Sequence, residues 1–405
     1  MKKKTLGLVL GLAMAVMSIA GCGLAEGGDD TPASGSLSQP IVVVDDNNSG
    51  TDASGATGAT DENTEGTATD GGDTSANTNV PKTEGIVFIK DLTPPEGYVY
   101  SELTGELIDA SIANQRPLAV MVDNEITALD HFGVNDCDIV YECMNSTKNG
   151  RITRLMCIIK DYDSIEQLGS VRSARTVNML LSAEWNAILC HDGGPFYIND
   201  YYSKPEISHL NGVFSRVNNG KATEFTEYVL AKDVDKYLGS NAAFDTEYNK
   251  YYTGTHFEFV ESNALDVNPY TEYKDITLVQ LPYPHNSSEL RYNESTGLYE
   301  YYEYGSAHKD GATGKITAFR NVIIQCADYQ EYDENGYLYY KIENNTDAAF
   351  YLTDGQAVPI QWFRGGNLTD NTNYIDYYGN PVVLNAGKTY ITLVPKDVWS
   401  ELVMK

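Results

Sequence analysis

The stretch from Gly23 to about Gly85 limits what this chain of 405 residues can fold into more than any other feature. It consists mainly of Gly, Thr, Ser, Ala, Asn and Asp, with three prolines and almost no aromatic residue. A segment of this composition buries too little apolar surface to offset the entropy lost when it becomes ordered. We therefore predict a disordered acidic tether over residues 22–85, followed by a folded part of about 320 residues.

The residues before the tether have the layout of a bacterial export signal. Lys2, Lys3 and Lys4 precede an apolar core that is too short for a committed membrane span. The ending Ser18-Ile19-Ala20-Gly21-Cys22 is similar to a lipobox. We predict a signal peptide over residues 1–21 and a lipidated Cys22 that anchors an extracytoplasmic protein to the bacterial cell membrane. A plain secreted protein with a chance cysteine is the alternative.

Charge and cysteine spacing narrow the choice of partners and cofactors. The chain has 57 acidic and 28 basic residues, a formal net charge of −29, which argues against a nucleic-acid partner. No C-x-x-C pair occurs and the number of later cysteines is odd, so the sequence signals neither a zinc site nor a complete disulfide framework. Asp123, Glu142 and His191 have the residue types of metal ligands, but no spacing rule supports a site, and we predict neither a metal nor a cofactor. Buried free thiols are favoured for the five later cysteines, and one disulfide stays open as an alternative. These are Cys137, Cys143, Cys157, Cys190 and Cys326.

The folded part is longer than one hydrophobic core usually spans, which predicts two domains. Residues 86–267 mix strand and helix patterns and are expected to form an α/β (α+β) domain with a mixed sheet. Residues 268–405 are rich in Tyr, Thr, Val and Ile and contain turns such as Asp333-Glu334-Asn335-Gly336. They are expected to form a mostly β domain.

Apolar runs predict three strands in the first domain. Leu118 to Val122 reads as a buried strand. The runs Ile139 to Met144 and Ile152 to Ile159 are expected to pair as a hairpin, because Asn149-Gly150 between them tolerates the positive φ angles of a tight turn.

Helical spacing predicts two helices. Val177, Leu180, Leu181 and Trp185 follow the period of one helix, with Ser173 as its N-cap and an end near Asn186. A strand is expected to follow and to end at His191. The pattern over Thr223 to Leu238 predicts a surface helix.

Polar residues follow two of these strands. Asp123 and Asn124 end the first, and His191, Asp192, Gly193 and Gly194 end or follow the last. If both strands lie parallel in one sheet, these groups meet at the same sheet edge, which is where open α/β sheets bind ligands.

The motif GSVRSAR, residues 169–175, places Arg172 and Arg175 at the start of the first predicted helix. Cations are unfavourable beside the positive end of a helix dipole unless an anion lies nearby. The anion is either an external ligand, bound by the guanidinium groups in a bidentate manner, or a carboxylate of the protein such as Asp123 or Glu142. The predicted ligand site comprises Asn124, Arg154, Arg172, Ser173, Arg175, Gly193 and Gly194.

Arg154 lies inside an otherwise apolar strand, where a charge needs a partner. Glu142 on the facing strand is a candidate. A two-residue turn would instead place Asn145 opposite Arg154, and a loop of odd length would reverse that parity. The sequence leaves this pairing open.

Catalytic candidates are Asp123, Glu142 and His191. His191 has the chemistry of a general base, with Asp192 or Asp123 to fix its tautomer, and two carboxylates in one cleft could divide acid and base roles. No G-x-S-x-G elbow or Cys-His signature supports a nucleophile. A hydrogen-bonded loop histidine is the plainer interpretation of His191.

Five motifs in order resemble the YerB-like bacterial lipoproteins: RPLAVMVDN from Arg116, DIVYE from Asp138, GRITR from Gly150, GSVRSAR from Gly169 and HDGG from His191. The second domain is similar to that family's C-terminal half through NVIIQ from Asn321 and DYYGNP from Asp376. The resemblance implies an envelope location and a two-part architecture. It implies no reaction, because the family is a domain of unknown function.

The sequence thus favours a cell-envelope binding or scaffold protein with an arginine-lined site for an anionic or glycan ligand. Cell-wall components or other envelope proteins would be its partners. The alternative is an envelope hydrolase or transferase that uses Asp123, Glu142 and His191.

Overall fold

The computed structural model describes residues 85–239, 242–262, 264–267 and 274–405. The predicted signal peptide, the predicted lipidation at Cys22 and all of the predicted tether except Gly85 lie outside these ranges. No helix in the described ranges combines the length and apolar character that crossing a bilayer requires.

The region before residue 268 holds eleven short strands. In chain order they are β1 (Tyr98–Tyr100), β2 (Leu107–Asp109), β3 (Leu118–Asp123), β4 (Ile139–Met144), β5 (Thr153–Ile159), β6 (Gln167–Gly169), β7 (Ile188–His191), β8 (Ser208–Asn211), β9 (Ser215–Arg216), β10 (Glu227–Leu230) and β11 (Glu258–Val260).

The regular structure of the region after residue 273 is strand, apart from one 3-10 helix. Its members are β12 (Lys274–Asp275), β13 (Leu278–Gln280), β14 (Glu289–Asn293), β15 (Leu298–Glu303), β16 (Ser306–Ala307), β17 (Ala318–Phe319), β18 (Asn321–Ala327), β19 (Tyr329–Glu331), β20 (Leu338–Tyr340), β21 (Asn345–Thr353), β22 (Gln356–Arg364), β23 (Asn373–Ile375), β24 (Val383–Asn385), β25 (Thr389–Pro395) and β26 (Val403–Met404).

Helices are few among the described residues. The α-helices are α1 (Thr176–Glu184), α2 (Asn199–Tyr202), α3 (Ala231–Leu238) and α4 (Ala264–Val267). Short 3-10 helices cover Ile89–Asp91, Ala110–Ile112, Ile126–Ala128, Val134–Asp136, Tyr162–Ser164, Phe196–Ile198, Thr223–Phe225 and Lys396–Glu401. The predicted fold class, a mixed-sheet first region followed by a mostly β second region, is confirmed.

One mixed sheet of eleven strands runs through both regions in the order β12-β22-β21-β18-β25-β4-β5-β3-β7-β8, with β23 beside β22. The join is made by β25, which pairs in parallel with β18 on one side and with β4 on the other. The strands at its centre are buried on both faces, which explains why β3, β4 and β5 read as continuous apolar runs. The predicted domain boundary at 267/268 borders residues that the structure does not describe, and the sheet continues across it.

A second, six-stranded sheet has the order β16-β15-β14-β13-β26, with β17 beside β15. It contacts the large sheet through tyrosines. The rings of Tyr301 and Tyr390 lie 5.7 Å apart, and the Tyr283 hydroxyl donates to the Leu393 carbonyl at 3.0 Å. This contact creates a buried layer in which polar groups accumulate.

The predicted hairpin of β4 and β5 is confirmed, but its turn is longer than two residues. The strands end at Met144 and resume at Thr153, with Asn149, Gly150 and Arg151 all at positive φ. In the resulting register Cys143, not Asn145, lies opposite Arg154.

Two helix predictions need correction. Arg175, not Ser173, is the N-cap of α1, and the Asn178 side chain accepts a hydrogen bond from the Arg175 N–H at 2.8 Å. The helix predicted over Thr223 to Leu238 exists only from Ala231. Glu227–Leu230 is instead a strand that pairs with β6 and β9, because those edges offer backbone partners that local spacing does not reveal.

Candidate functional site

The arginine motif lies between the ends of two parallel strands. β3 and β7 pair in parallel, which meets the condition for their polar ends to share one sheet edge. Beyond their paired residues, the Arg172 N–H donates to the Met121 carbonyl and the Asp192 N–H donates to the Arg172 carbonyl, both at 3.0 Å. The backbone of Arg172 therefore extends the sheet between the two strand ends.

A pocket of about 920 Å³ opens at this edge. Four of the seven predicted ligand-site residues, Asn124, Gly193 and Gly194 excepted, line it. The full lining is Asp123, Glu125, Thr127, Asn145, Ser146, Lys148, Asn149, Ile152, Arg154, Arg172, Ser173, Arg175, Glu224, Phe225, Glu334, Asn335 and Tyr337.

Arg154 forms part of the pocket floor. It lies opposite Asp123 in the β3–β5 register and is only 8% exposed. Its guanidinium donates through Nη1 to the Ser173 carbonyl at 2.8 Å, whereas its buried Nε has no hydrogen-bond acceptor. Because directly opposed residues share a sheet face, Asp123 is the carboxylate nearest to it in the register, and no ion pair joins the two.

Arg172 is tied to the protein's own carboxylates. Its Nε lies 2.7 Å from Asp123 Oδ2, an ion pair without the alignment of a hydrogen bond. Its Nη2 lies 3.3 Å from Glu224 Oε2, and the guanidinium lies 5.5 Å from the Phe225 ring centre. The sequence left open whether the partner of Arg172 is an external anion or a carboxylate of the protein, and the structure shows a carboxylate of the protein.

Arg175 is held differently. It is 6% exposed, and its guanidinium donates to the Ala174 carbonyl at 2.9 Å and stacks over the Tyr337 ring at 4.2 Å. Its Nε is buried without an acceptor. Within the described part of the chain no carboxylate lies in ion-pair distance of Arg154 or Arg175.

The electrostatics of the floor reflect this shortage of anions. Burial, reinforced by the neighbouring Arg175, lowers the pKa of Arg154 to about 9. Burial likewise lowers the pKa of Arg175. The floor carries three arginines and one aspartate, whereas Glu224, Glu334 and Lys148 lie exposed at the rim. The pocket is therefore more positive at depth than at its mouth.

Gly193 and Gly194 support the arginine loop without lining the pocket. The Gly193 carbonyl accepts from the Ala174 N–H at 3.2 Å, and Gly193 has a φ of +79°. A Cβ on Gly194 would come within 2.1 Å of Ile198 Cδ1 and 3.1 Å of the Ala174 carbonyl. Both glycines thus allow the Arg172–Arg175 backbone to pack closely against the chain that follows β7.

Glu142 lies on the opposite face of the sheet from Arg154. It opposes Leu155 and alternates with Cys143, so the two charges cannot pair. Its carboxylate accepts from Thr153 Oγ1 at 2.6 Å, Ser288 Oγ at 2.7 Å and the hydroxyls of Tyr301 and Tyr390. Burial raises its pKa. The Asn124 side chain belongs to this same cluster, donating to Thr153 Oγ1 at 2.9 Å.

His191 is buried beside the pocket but does not line it. Its Nδ1 lies 2.9 Å from the Gly193 carbonyl and its Nε2 lies 3.2 Å from His209 Nδ1. Both ring nitrogens are thereby occupied within the protein, and burial lowers the pKa of His191 to about 4. Of the three catalytic candidates, only Asp123 reaches the pocket.

Sequence reasoning missed the part of the lining that comes from the second region. Tyr337, which lies under Arg175, is more than 160 residues away in the chain and has no sequence signal beyond its turn context. Asn145 and Lys148 line the pocket because the β4–β5 loop is longer than the predicted turn. A longer loop could have been anticipated only from the polar run Asn145 to Asn149.

A larger cavity of about 1070 Å³ is lined mainly by residues 242–251 and by Arg116. The Arg116 guanidinium donates to three backbone carbonyls, those of Asn186, Ala187 and Asp245. This arginine has a structural role, because each of its three guanidinium nitrogens already donates to a backbone carbonyl.

Comparison with known proteins places the chain in a family. Residues 103–245 match the family model "Protein of unknown function (DUF3048) N-terminal domain", and residues 279–391 match the corresponding C-terminal domain. The chain belongs to the YerB-like family. All three arginines and Asp123 lie within the N-terminal match, whereas Tyr337 lies within the C-terminal one.

One YerB-like relative is "Putative lipoprotein YerB" of Bacillus subtilis strain 168, 25% identical over 309 residues that cover 74% of this chain and 85% of the relative. A crystal structure of YerB from Bacillus subtilis superimposes with a TM-score of 0.62 at 21% identity, covering 76% of this chain and 99% of the other. The structural likeness shows a shared fold.

Proposed function

We propose that this chain is a lipid-anchored protein of the cell envelope that binds an anionic ligand through Arg154 and Arg175. The lipobox-like ending at Cys22 supports the anchor, and a relative described as a lipoprotein supports it as well. The predicted tether of residues 22–85 would let the binding region extend away from the membrane. A ligand of the cell wall or of another envelope protein then comes within reach.

The observation that carries the proposal is the incomplete donor set of Arg154 and Arg175. Each guanidinium makes one hydrogen bond to a backbone carbonyl and has a buried Nε without an acceptor. Buried cations without an anion are costly, so proteins rarely retain them without a use. A carboxylate or phosphate that enters the pocket would accept hydrogen bonds from the remaining N–H groups in a bidentate arrangement.

The rest of the pocket suits the uncharged part of such a ligand. Ser173 lines it, and Asn145 presents a buried Oδ1 that has no hydrogen-bond donor. Next to the pocket, beyond Tyr337, the rings of Tyr197 and Tyr332 stack at 4.1 Å, and Tyr332 is exposed. Flat aromatic faces next to hydrogen-bonding groups favour sugars and peptides. An anionic glycan or peptide fragment therefore fits better than an inorganic anion alone.

The hydrolase alternative has less support. Glu142 lies on the far face of the sheet and His191 has both ring nitrogens occupied within the protein. Asp123 is the one catalytic candidate that lines the pocket, and it is ion-paired with Arg172. The geometry therefore supports binding rather than acid–base catalysis.

Calorimetric titration of the purified full-length protein with cell-wall fragments tests the proposal. One set of fragments carries carboxylates (muropeptides) and one carries phosphodiesters, so that the two anion types are separated. We expect saturable binding of one set, and loss of roughly 100-fold or more in affinity for the double variant Arg154→Gln/Arg175→Gln, since each charged contact contributes about 1.5–3 kcal/mol.

The control is Arg291→Gln, the same substitution at one exposed arginine on β14 that pairs with Glu289 outside the pocket. This variant should bind like the wild type. Equal binding by the double variant, with its circular dichroism unchanged, would sink the proposal, and so would the failure of both fragment sets to bind the wild type.

A further inference from the structure

A second cluster of ionisable side chains lies in the buried layer where the two sheets meet, apart from the arginine pocket. His131, Glu303 and His308 are each at most 3% exposed, and one ligand-type atom from each lies within 4.8 Å of the others. His131 comes from the loop after β3, whereas Glu303 ends β15 and His308 follows β16. The cluster thus joins the first region to the second sheet.

The ligand-type atoms of this cluster lie close enough together to converge on one ion. His308 Nε2 lies 2.8 Å from His131 Nδ1 and 3.7 Å from Glu303 Oε1. With metal–ligand bonds of about 2.0–2.1 Å, two tetrahedral ligands of Zn²⁺ are about 3.3 Å apart. The two observed separations bracket that value, and all three ligand-type atoms lie within 4.8 Å of one another, so the side chains would have to approach by up to about 1.5 Å to surround one ion.

The hydrogen bonding of the cluster is incomplete where an ion would bind. Neither carboxylate oxygen of Glu303 has an aligned hydrogen bond, although Asn286 and Tyr301 lie close enough to stabilise its anion. In contrast, the outward-facing Nδ1 of His308 lies 2.9 Å from Thr317 Oγ1. A ligating histidine usually has such a partner on its other ring nitrogen, which orients the ring.

We propose that His131, Glu303 and His308 bind one divalent transition-metal ion of the Zn²⁺ type, which ties the loop after β3 to the β15–β16 turn. Two imidazoles and a carboxylate form a known ligand set for such ions, and both oxygens of Glu303 are available, so bidentate binding would provide a fourth donor. The complete burial of the three side chains indicates a structural rather than a catalytic ion.

Titration of the full-length, chelator-treated protein with Co²⁺, followed by visible absorption, tests this site. We expect one equivalent to bind with ligand-field bands typical of nitrogen and oxygen ligands, and without the thiolate charge-transfer band that binding to cysteines would give. Zn²⁺ should displace Co²⁺ and raise the melting temperature. Glu303→Gln, which preserves shape, should weaken Co²⁺ binding by roughly 100-fold or more.

The matched control is His209→Asn, because His209 is a partly buried histidine outside the cluster. It should bind Co²⁺ like the wild type. If Glu303→Gln does not fold, the wild-type spectrum still decides. Less than one bound equivalent at micromolar Co²⁺, a thiolate band, or equal binding by folded Glu303→Gln would each overturn the proposal.

Discussion

The two ends of helix α1 carry charges of the sign that a helix dipole disfavours, but the protein treats them differently. Arg175 and Arg172 lie at or before the N-terminal end, and Glu184 is the last residue at the C-terminal end. The dipole favours an anion at the first end and a cation at the second. Each end therefore needs a compensating group from elsewhere.

The C-terminal end has that group within the protein. Glu184 accepts from the Tyr141 hydroxyl at 3.2 Å and from Thr372 Oγ1 at 2.9 Å, and its Oε2 lies 3.4 Å from Arg364 Nε. Arg364 also donates to the carbonyls of Gly365 and Leu368. Burial raises the pKa of Glu184 even so, but both carboxylate oxygens have partners.

The N-terminal end lacks that completeness. Arg172 has Asp123, whereas Arg154 and Arg175 retain buried donors that face a pocket. We call a charge network closed where the buried charged groups have partners within the protein, as at Glu184, and open where buried donors lack an acceptor, as at Arg154 and Arg175. A closed network indicates a structural ion pair and an open one a ligand site, although the two look alike in sequence. The number of satisfied hydrogen-bond donors, rather than burial alone, therefore distinguishes a structural charge from a ligand-binding one.

The largest expected effect lies at the closed end. Glu184→Gln leaves the Arg364 cation buried without an anion, so we expect the free energy of unfolding to fall by about 3–5 kcal/mol. Urea denaturation followed by tryptophan fluorescence measures this change. A decrease in the free energy of unfolding of less than about 1 kcal/mol is what an exposed ion pair contributes. Such a result would show that the C-terminal end of α1 is not a closed network and would remove its contrast with the N-terminal end.

The pH dependence of ligand binding sharpens the contrast at the open end. Below pH 9 Arg154 is protonated in the free protein and available to an anion. Above the pKa of about 9 binding must first take up a proton, so affinity should fall by up to about tenfold per pH unit. Asp123, Arg172, Arg175 and Tyr337 face the same guanidinium and also shape this profile.

Calorimetric titrations between pH 7 and pH 10 measure the profile with the fragment that the wild type binds. Arg154→Met lacks the titrating group and should show a flatter decline. A wild-type affinity that stays constant across this range would show that Arg154 does not contact the anion.

The smallest effect is expected at the rim. Glu224 is 55% exposed on its side chain and pairs with Arg172 at 3.3 Å. Glu224→Gln should change the free energy of unfolding by about 0–1 kcal/mol, since exposed ion pairs contribute little. It should strengthen anion binding slightly, because it removes a like charge from the pocket mouth. A marked loss of stability would mean that the rim belongs to a closed network.

The sequence was sufficient where local pattern and topology agree. The apolar runs of β3, β4 and β5 are long and buried on both faces, so their strands could be placed from composition alone. The parallel pairing of β3 with β7 brings the residues that end both strands to one sheet edge, although of Asp123 and His191 only Asp123 reaches the pocket.

The sequence was insufficient to predict those parts of the fold and of the site that depend on contacts between distant residues. β10 became a strand because β6 and β9 flank it, and Tyr337 and β25 reach the first region from more than 160 residues away. The face on which Glu142 lies followed from the length of the β4–β5 loop, which a turn motif alone does not determine. The cluster of His131, Glu303 and His308 has no local spacing at all.

The stability of ligand-free Arg154→Met shows whether this buried cation is kept for an external anion or for the fold. Methionine fills a similar volume without charge, so urea denaturation should give a free energy of unfolding equal to that of the wild type or higher by about 1–2 kcal/mol. A loss of about 3 kcal/mol or more, like that expected for Glu184→Gln, would contradict the claim and make Arg154 part of a closed structural network.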